Sequence, residues 1–159
     1  MKESNQVIFR NALDDDYNVL LTLRNELHKK HAKAEPGFYK DVEVAISKQD
    51  FYELVDKEEV FVLEKDKSMV GYVIVKELKV QNDPLIHDQH ILFVDDFYIV
   101  PNYIGNGLGR KMFNHIVEYG KEKGCSSIEL NVWNFNEEAK QFYSKMDMKV
   151  TRIRMKKVI

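Results

Sequence analysis

Three of the chain's seven glycines fall within five residues, in Ile104-Gly105-Asn106-Gly107-Leu108-Gly109-Arg110. The run before them, His90 to Val100, is apolar on both faces, as a central strand would be, except for the adjacent Asp95 and Asp96. After them, Leu108, Met112, Phe113, Ile116 and Val117 recur at helical spacing. A strand that enters a helix through glycines leaves unhindered backbone N–H groups beside the positive helix end, a site for phosphate oxygens. Arg110 and Lys111 add charge there. The same glycines would equally serve a turn that needs only its backbone geometry. The spacing is not the Gly-x-Gly-x-x-Gly of dinucleotide sites, because Arg110 or Met112 fills the third position, and no Gly-Lys-Ser/Thr is present.

The rest of the chain supplies a sheet and helices around this loop. Val7 to Phe9 is a short apolar run, and the acidic Asp14-Asp15-Asp16 opens a helix expected to reach about Lys30. Tyr17, Leu20, Leu21, Arg24, Leu27, His28 and His31 mark its inward stripe. Pro36-Gly37 breaks the chain, and Ser47 with Asp50 caps a second helix carrying Phe51, Leu54 and Val55. Val60–Leu63 and Met69–Val75 read as a hairpin about the polar turn Lys65–Ser68. The stripe from Leu108 ends near Gly120 and Gly124, and Ser127–Val132 is a further strand. Asn136 caps a last helix running to about Lys145, with Ala139, Phe142, Tyr143 and Met146 on one face. Thr151–Lys156 alternates polar and apolar, predicting a strand with one buried and one basic, solvated face. These elements give a single α/β domain over 1–159, a mixed and mostly antiparallel sheet flanked by helices.

Two segments resemble one family. Phe97-Tyr98-Ile99-Val100-Pro101 through Gly109 is similar to motif A of the GCN5-related N-acetyltransferase family, and Asn136-x-x-Ala139-x-x-Phe142-Tyr143-x-Lys145-Met146 is similar to its motif B. The resemblance extends over roughly residues 60–159. It departs from the family at Ile104, where Arg or Gln is usual, and at Asp147-Met148, where Gly-Phe is common. What it implies is an acetyl-coenzyme A dependent N-acetyltransferase acting on a primary amine of a small cationic acceptor, polyamine-like or diamine-like, by direct attack in a ternary complex. A peptide or protein amino group, an aminoglycoside, and a non-catalytic acyl-coenzyme A binding module are the alternatives.

The resemblance also implies the site. Gly105, Asn106, Gly107, Leu108, Gly109 and Arg110 would cradle the pyrophosphate of acetyl-coenzyme A, the backbone of Ile99 or Val100 would donate to the oxyanion, and Asn136 would contact the cofactor. An amine with a pKa of about 10.4 is almost wholly protonated at neutral pH, so a base is useful. Val94-Asp95-Asp96-Phe97-Tyr98-Ile99-Val100 resembles the diamine and polyamine acetyltransferases, with Asp95 as base relay and Asp96 as amine anchor. Neighbours in a strand point to opposite faces, so the two aspartates share a face only if a bulge intervenes. A structural carboxylate is the plainer reading of either. Tyr143 is the candidate general acid for the departing thiolate, its phenol pKa being close to that of a thiol. Helix spacing alone would make it an ordinary buried aromatic.

Other features point to less. His28-x-x-His31 and His87-x-x-His90 lack a second ligand pair, so no metal is expected and solvated surface histidines are the plain reading, with contact with substrate a better reading than metal for His87 and His90. The single Cys125 cannot form an intrachain disulfide and reads as a small apolar residue. Trp133 lines the acceptor site or packs. A formal net charge of -2 argues against nucleic acid as a partner. The polar start from Met1 and the lack of any long apolar window lead us to expect no signal peptide, no membrane span and a cytoplasmic protein. A homodimer is implied by the resemblance alone.

Overall fold

The computed structural model describes residues 5–159; the polar start from Met1 to Ser4 lies outside them. Five strands form one sheet in the order β1-β2-β3-β4-β5: β1 (Val7–Asn11), β2 (Val60–Lys65), β3 (Ser68–Val80), β4 (Gln89–Ile99) and β5 (Ser127–Leu130). The first four are antiparallel in sequence, and β5 joins β4 in parallel. Four helices flank the sheet: α1 (Tyr17–Ala34), α2 (Lys48–Asp56), α3 (Leu108–Glu122) and α4 (Glu137–Lys145). The order is therefore βααβββαβα. Residues 149–159 form no strand, contrary to the expectation for Thr151–Lys156.

Local chemistry sets the helix ends. Ser47 accepts from the Asp50 amide at 3.1 Å and Asn136 accepts from the Ala139 amide at 3.1 Å, each satisfying a donor the helix cannot. The Asp14–Asp16 cluster forms a single 3-10 turn ahead of α1. Gly124, at φ 77, ends α3, and Asp147, at φ 61, ends α4 with the Met148 amide donating to the Tyr143 carbonyl at 3.1 Å.

Each face of the sheet buries its own apolar layer. Leu20, Leu23 and Phe51 of α1 and α2 pack on Val60, Val62, Tyr72, Ile74 and Tyr98. Leu108, Met112 and Ile116 of α3 pack on Leu63, Val73, Val75, Leu92, Val94 and Ile99. These lists reveal a change of phase in β4. Leu92 and Val94 face α3, yet so do Phe97 and Ile99, while Tyr98 faces α1. The cause is one extra residue: Ile74 pairs with Asp96 and Val75 with Val94, which leaves Asp95 as a bulge. No helix among the described residues is long and apolar enough to cross a membrane.

Candidate active site

The bulge marks where the sheet opens. β5 pairs with β4 only from Ile91 to Val94, opposite Ser127 to Leu130, so from Asp95 onward β4 has a partner on one side alone. In that stretch the Val100 amide donates to the Val70 carbonyl at 2.8 Å. Because hydrogen-bonded and non-bonded pairs alternate in an antiparallel ladder, the neighbouring pair Ile99–Gly71 is non-bonded, and the Ile99 N–H points away from β3 into the gap. Of the two backbone donors expected from the sequence, Val100 is thus already engaged and Ile99 is free to meet a ligand.

The glycine loop stands at the end of this opened strand. Gly105 and Gly107 hold φ of 90 and 76, where a side chain is strained, and the space where a Cβ would sit is empty at both. Gly109 is small for a different reason: a Cβ there would lie 3.1 Å from the Phe142 ring, so its absence lets α4 close on the start of α3. No backbone N–H of residues 105–110 donates to a described acceptor, and the α3 first turn carries no acid. Exposed amides around a helix N-terminus suit a polyanion. That donor set fits a pyrophosphate, with Arg110 exposed beside it. Ile104, half-exposed, adds no donor from its side chain.

Helix α4 covers the gap from the other side. Phe97 contacts Phe142 and Tyr143, ring centroids 5.7 and 6.0 Å apart, so Tyr143 sits against the strand just past the bulge. Its hydroxyl makes no hydrogen bond to a described residue, and burial pushes its pKa well above the ordinary 10.0. The phenol therefore keeps its proton at neutral pH. Asn136 spends its side-chain carbonyl on the α4 cap and leaves its amide N–H groups unused.

The bulge turns both aspartates to the α1 side. Asp96 accepts from the Tyr72 hydroxyl at 2.9 Å and pairs with Arg24 Nε at 3.0 Å. Asp95 lies 3.7 Å from Nζ of Lys76, which continues the alternation of Tyr72 and Ile74. The two differ in freedom: the Asp96 side chain is 16% exposed and its charge is met by Arg24, whereas Asp95 is 38% exposed with only a loose lysine partner. An anchoring role for Asp96 therefore competes with Arg24. Desolvation next to the sheet pushes the Tyr72 and Tyr98 phenols up, with Asp96 and Glu26 as their acceptors.

Arg24 and Tyr39 were not singled out as site residues in the sequence. Arg24 stood among the inward positions of α1, and a cation in an apolar stripe signals a buried carboxylate partner. Trp133 donates from Nε1 to the Tyr39 hydroxyl at 2.9 Å and packs edge-on to Phe38, tying the loop after β5 to the loop after α1. His31 stacks on Tyr39, and desolvation lowers its pKa against the pull of Asp96. His28 bonds the Lys40 carbonyl at 2.6 Å. His90 is held between Glu77, at 2.7 Å, and the Gly124 carbonyl, at 3.1 Å, at the opposite end of β4 from Ile99, while His87 is exposed in the preceding loop. Glu77, His90 and Cys125 are the single group of three potential metal ligands among the described residues.

A family model for the acetyltransferase (GNAT) family matches residues 23–148. The chain belongs to the GNAT acetyltransferase family. Among solved structures, a mutant of the BH1408 protein from Bacillus halodurans aligns with a TM-score of 0.90 at 25% identity, over 96% of this chain and 99% of that one. An aminoglycoside N-acetyltransferase solved in complex with CoA aligns with a TM-score of 0.75 at 13% identity, over 100% of this chain and 98% of that one, a likeness of fold. The thialysine N-epsilon-acetyltransferase of Bos taurus is 35% identical over 52 residues, 33% of this chain and 31% of that protein. This GNAT chain thus spans about a third of the length of the curated relatives it first matches.

Proposed function

We propose that this GNAT chain is an acetyl-coenzyme A dependent N-acetyltransferase for a primary amine on a small cationic acceptor, polyamine-like or diamine-like. The observation that carries the reading is the gap beside β4. A free Ile99 amide and the open amides of residues 105–110 lie along it, Tyr143 packs on Phe97 just past the bulge with its hydroxyl unpartnered, and Asp95 stands at the bulge where the sheet opens. Acetyl-coenzyme A supplies the thioester carbonyl that the amine attacks. The amides of Gly105, Asn106, Gly107, Leu108, Gly109 and Arg110 hold its pyrophosphate, and Asn136 contacts it through the amide left over from capping. Ile99 N–H donates to the carbonyl oxygen as negative charge builds on it. Asp95 takes the proton of the incoming ammonium through water, Tyr143 gives a proton to the departing sulfur, and the second proton that the nitrogen sheds as the amide forms restores the Tyr143 phenol.

Asp96 is reassigned in this scheme. Its carboxylate is matched by Arg24 and Tyr72, so it sets the α1 side of the acceptor region and leaves Asp95 as the anionic group an ammonium meets. Asp95, with only a loose lysine partner, makes that side attractive to an ammonium group. The 35% identity to a thialysine N-epsilon-acetyltransferase over 52 residues supports an amine acceptor of this kind.

Thiol release from acetyl-coenzyme A in the presence of an amine panel tests the reading. Diamines and polyamines are expected to give at least about tenfold higher kcat/KM than monoamines of equal length. Equal rates across the panel would remove the cationic-acceptor assignment, and cofactor binding without turnover on any amine would leave a binding module.

A further inference from the structure

At the end of the sheet where β4 begins, away from the gap, three segments bring metal-binding side chains together. Glu77 comes from β3, His90 from the start of β4 and Cys125 from the turn between α3 and β5, and one ligand atom of each lies within 4.8 Å of the other two. Register puts the first two on one face. Glu77 stands opposite Leu92, which packs under α3, and His90 lies two positions before Leu92 on the same strand. The end of α3 carries Cys125 to them: the Cys125 amide donates to the Gly120 carbonyl at 2.9 Å and the Ser126 amide to the His90 carbonyl at 2.8 Å. His87, paired with His90 by sequence spacing, is not part of the group.

The two ring nitrogens of His90 face different acceptors. Nδ1 lies 3.1 Å from the Gly124 carbonyl, so the hydrogen of that bond belongs to Nδ1. Nε2 lies 2.7 Å from a carboxylate oxygen of Glu77, which is also an acceptor. A cation must stand between these two atoms, either a second ring proton or a metal ion that both ligate. A proton accounts for the histidine and the carboxylate alone; a metal ion accounts for the nearby sulfur as well. Ligation through one ring nitrogen, with the other donating to a backbone carbonyl, is the arrangement that orients histidine at metal centres. The second Glu77 oxygen lies 4.0 Å from Nζ of Lys123, an outer partner for the same carboxylate.

We propose that Glu77, His90 and Cys125 form a zinc-binding site. Thiolate, imidazole and carboxylate together suit a borderline-soft divalent cation, whereas magnesium and calcium prefer oxygen alone. The ionised thiol and carboxylate balance the two charges of the ion. Bonds of about 2.0–2.3 Å in a tetrahedral site space the ligand atoms about 3.3–3.6 Å apart. Nε2 and the Glu77 oxygen therefore part slightly and the sulfur moves in, by rotation of side chains none of which is fully buried. A cleft of about 320 Å³, lined in part by Lys79, Gln89, His90 and Ser126, opens beside the histidine and supplies water as a fourth ligand. The site is at the far end of β4 from Ile99, so its ion is structural: it pins β3 and β4 to the start of β5, where the parallel pair Ile91–Ser127 begins.

Titration of the full chain with Zn²⁺, after a chelator has removed bound metal, tests this. Cys125 is the single cysteine, so labelling by an aromatic disulfide reagent reads this site alone. Zinc should slow the labelling at least about tenfold and, at a hundred times its dissociation constant, raise the thermal midpoint by at least about 5 °C, and Mg²⁺ should do neither. Cys125→Ser, which keeps the side chain's size, and His90→Gln should each weaken zinc binding at least about tenfold, with the circular dichroism of the metal-free chain unchanged. A labelling rate indifferent to zinc, an affinity unchanged in Cys125→Ser, or an equal response to Mg²⁺ would each overturn the proposal. Should His90→Gln fail to fold, Cys125→Ser decides by itself.

Discussion

At the scale of single residues, neighbours of like type divide the work by what else they touch. Asp95 and Asp96 are adjacent carboxylates, yet Arg24 and Tyr72 engage one and leave the other half-exposed. Ile99 and Val100 are adjacent amides, and the Val70 carbonyl takes one. Tyr143 is the residue whose role is most directly testable. Its hydroxyl is unpartnered and burial keeps it protonated, so Tyr143→Phe removes one oxygen from a ring that stays packed against Phe97 and Phe113. Turnover should fall by about 10²-fold, the scale of general acid catalysis, while the acetyl-coenzyme A dissociation constant stays within about twofold. Steady-state rates and calorimetry measure the two separately, and unchanged turnover would return Tyr143 to packing.

At the scale of elements, the decisive object is the bulge in β4. It reverses the phase of the strand, so that Val94 and Phe97 face α3 while Asp95 and Asp96 share the α1 side. Elsewhere, β1 is locked to β2 and to the turn before α1 by Arg10, which bridges Asp16 at 2.8 Å and Glu64 at 2.6 Å. Burial raises the Asp16 carboxyl, but the Arg10 hydrogen bonds and the Leu13 amide outweigh it and hold its pKa below the ordinary 3.8. A carboxyl lowered on folding stabilises the protein above its unfolded pKa, and that stability is lost as pH falls through the folded value. Arg10→Ala should therefore cost about 1–3 kcal/mol at pH 7, by urea denaturation, and progressively less as the medium is acidified below the ordinary aspartate range. A difference independent of pH would place the loss in packing of the Arg10 stem.

For the whole molecule, the cofactor reading predicts a linkage effect. Acetyl-coenzyme A at a hundred times its dissociation constant adds about 2.7 kcal/mol, which for a chain of this size raises the thermal midpoint by roughly 5 to 10 °C. Adenosine lacks the pyrophosphate and should give little of this shift. No shift at millimolar acetyl-coenzyme A would mean that the amides of residues 105–110 do not hold a pyrophosphate. The effect is global because the site joins β4, α3 and α4: Gly109 admits Phe142, Phe142 meets Phe97, and Ile99 lies beside both.

Much of this was legible in the residues. The caps at Ser47 and Asn136, the left-handed Gly124, the periodicity of α1 and α3 and the glycine loop depend on interactions within a few positions, so local chemistry determines them. Which carboxylate stays free, which amide points into the gap and where the β4 bulge falls depend on Arg24, Val70 and Val75, partners fixed only when distant strands come into register. Thr151–Lys156 shows the same division. Its alternation is a property of the sequence, but a strand exists only where an edge receives it, and within one chain the tertiary structure leaves that segment exposed.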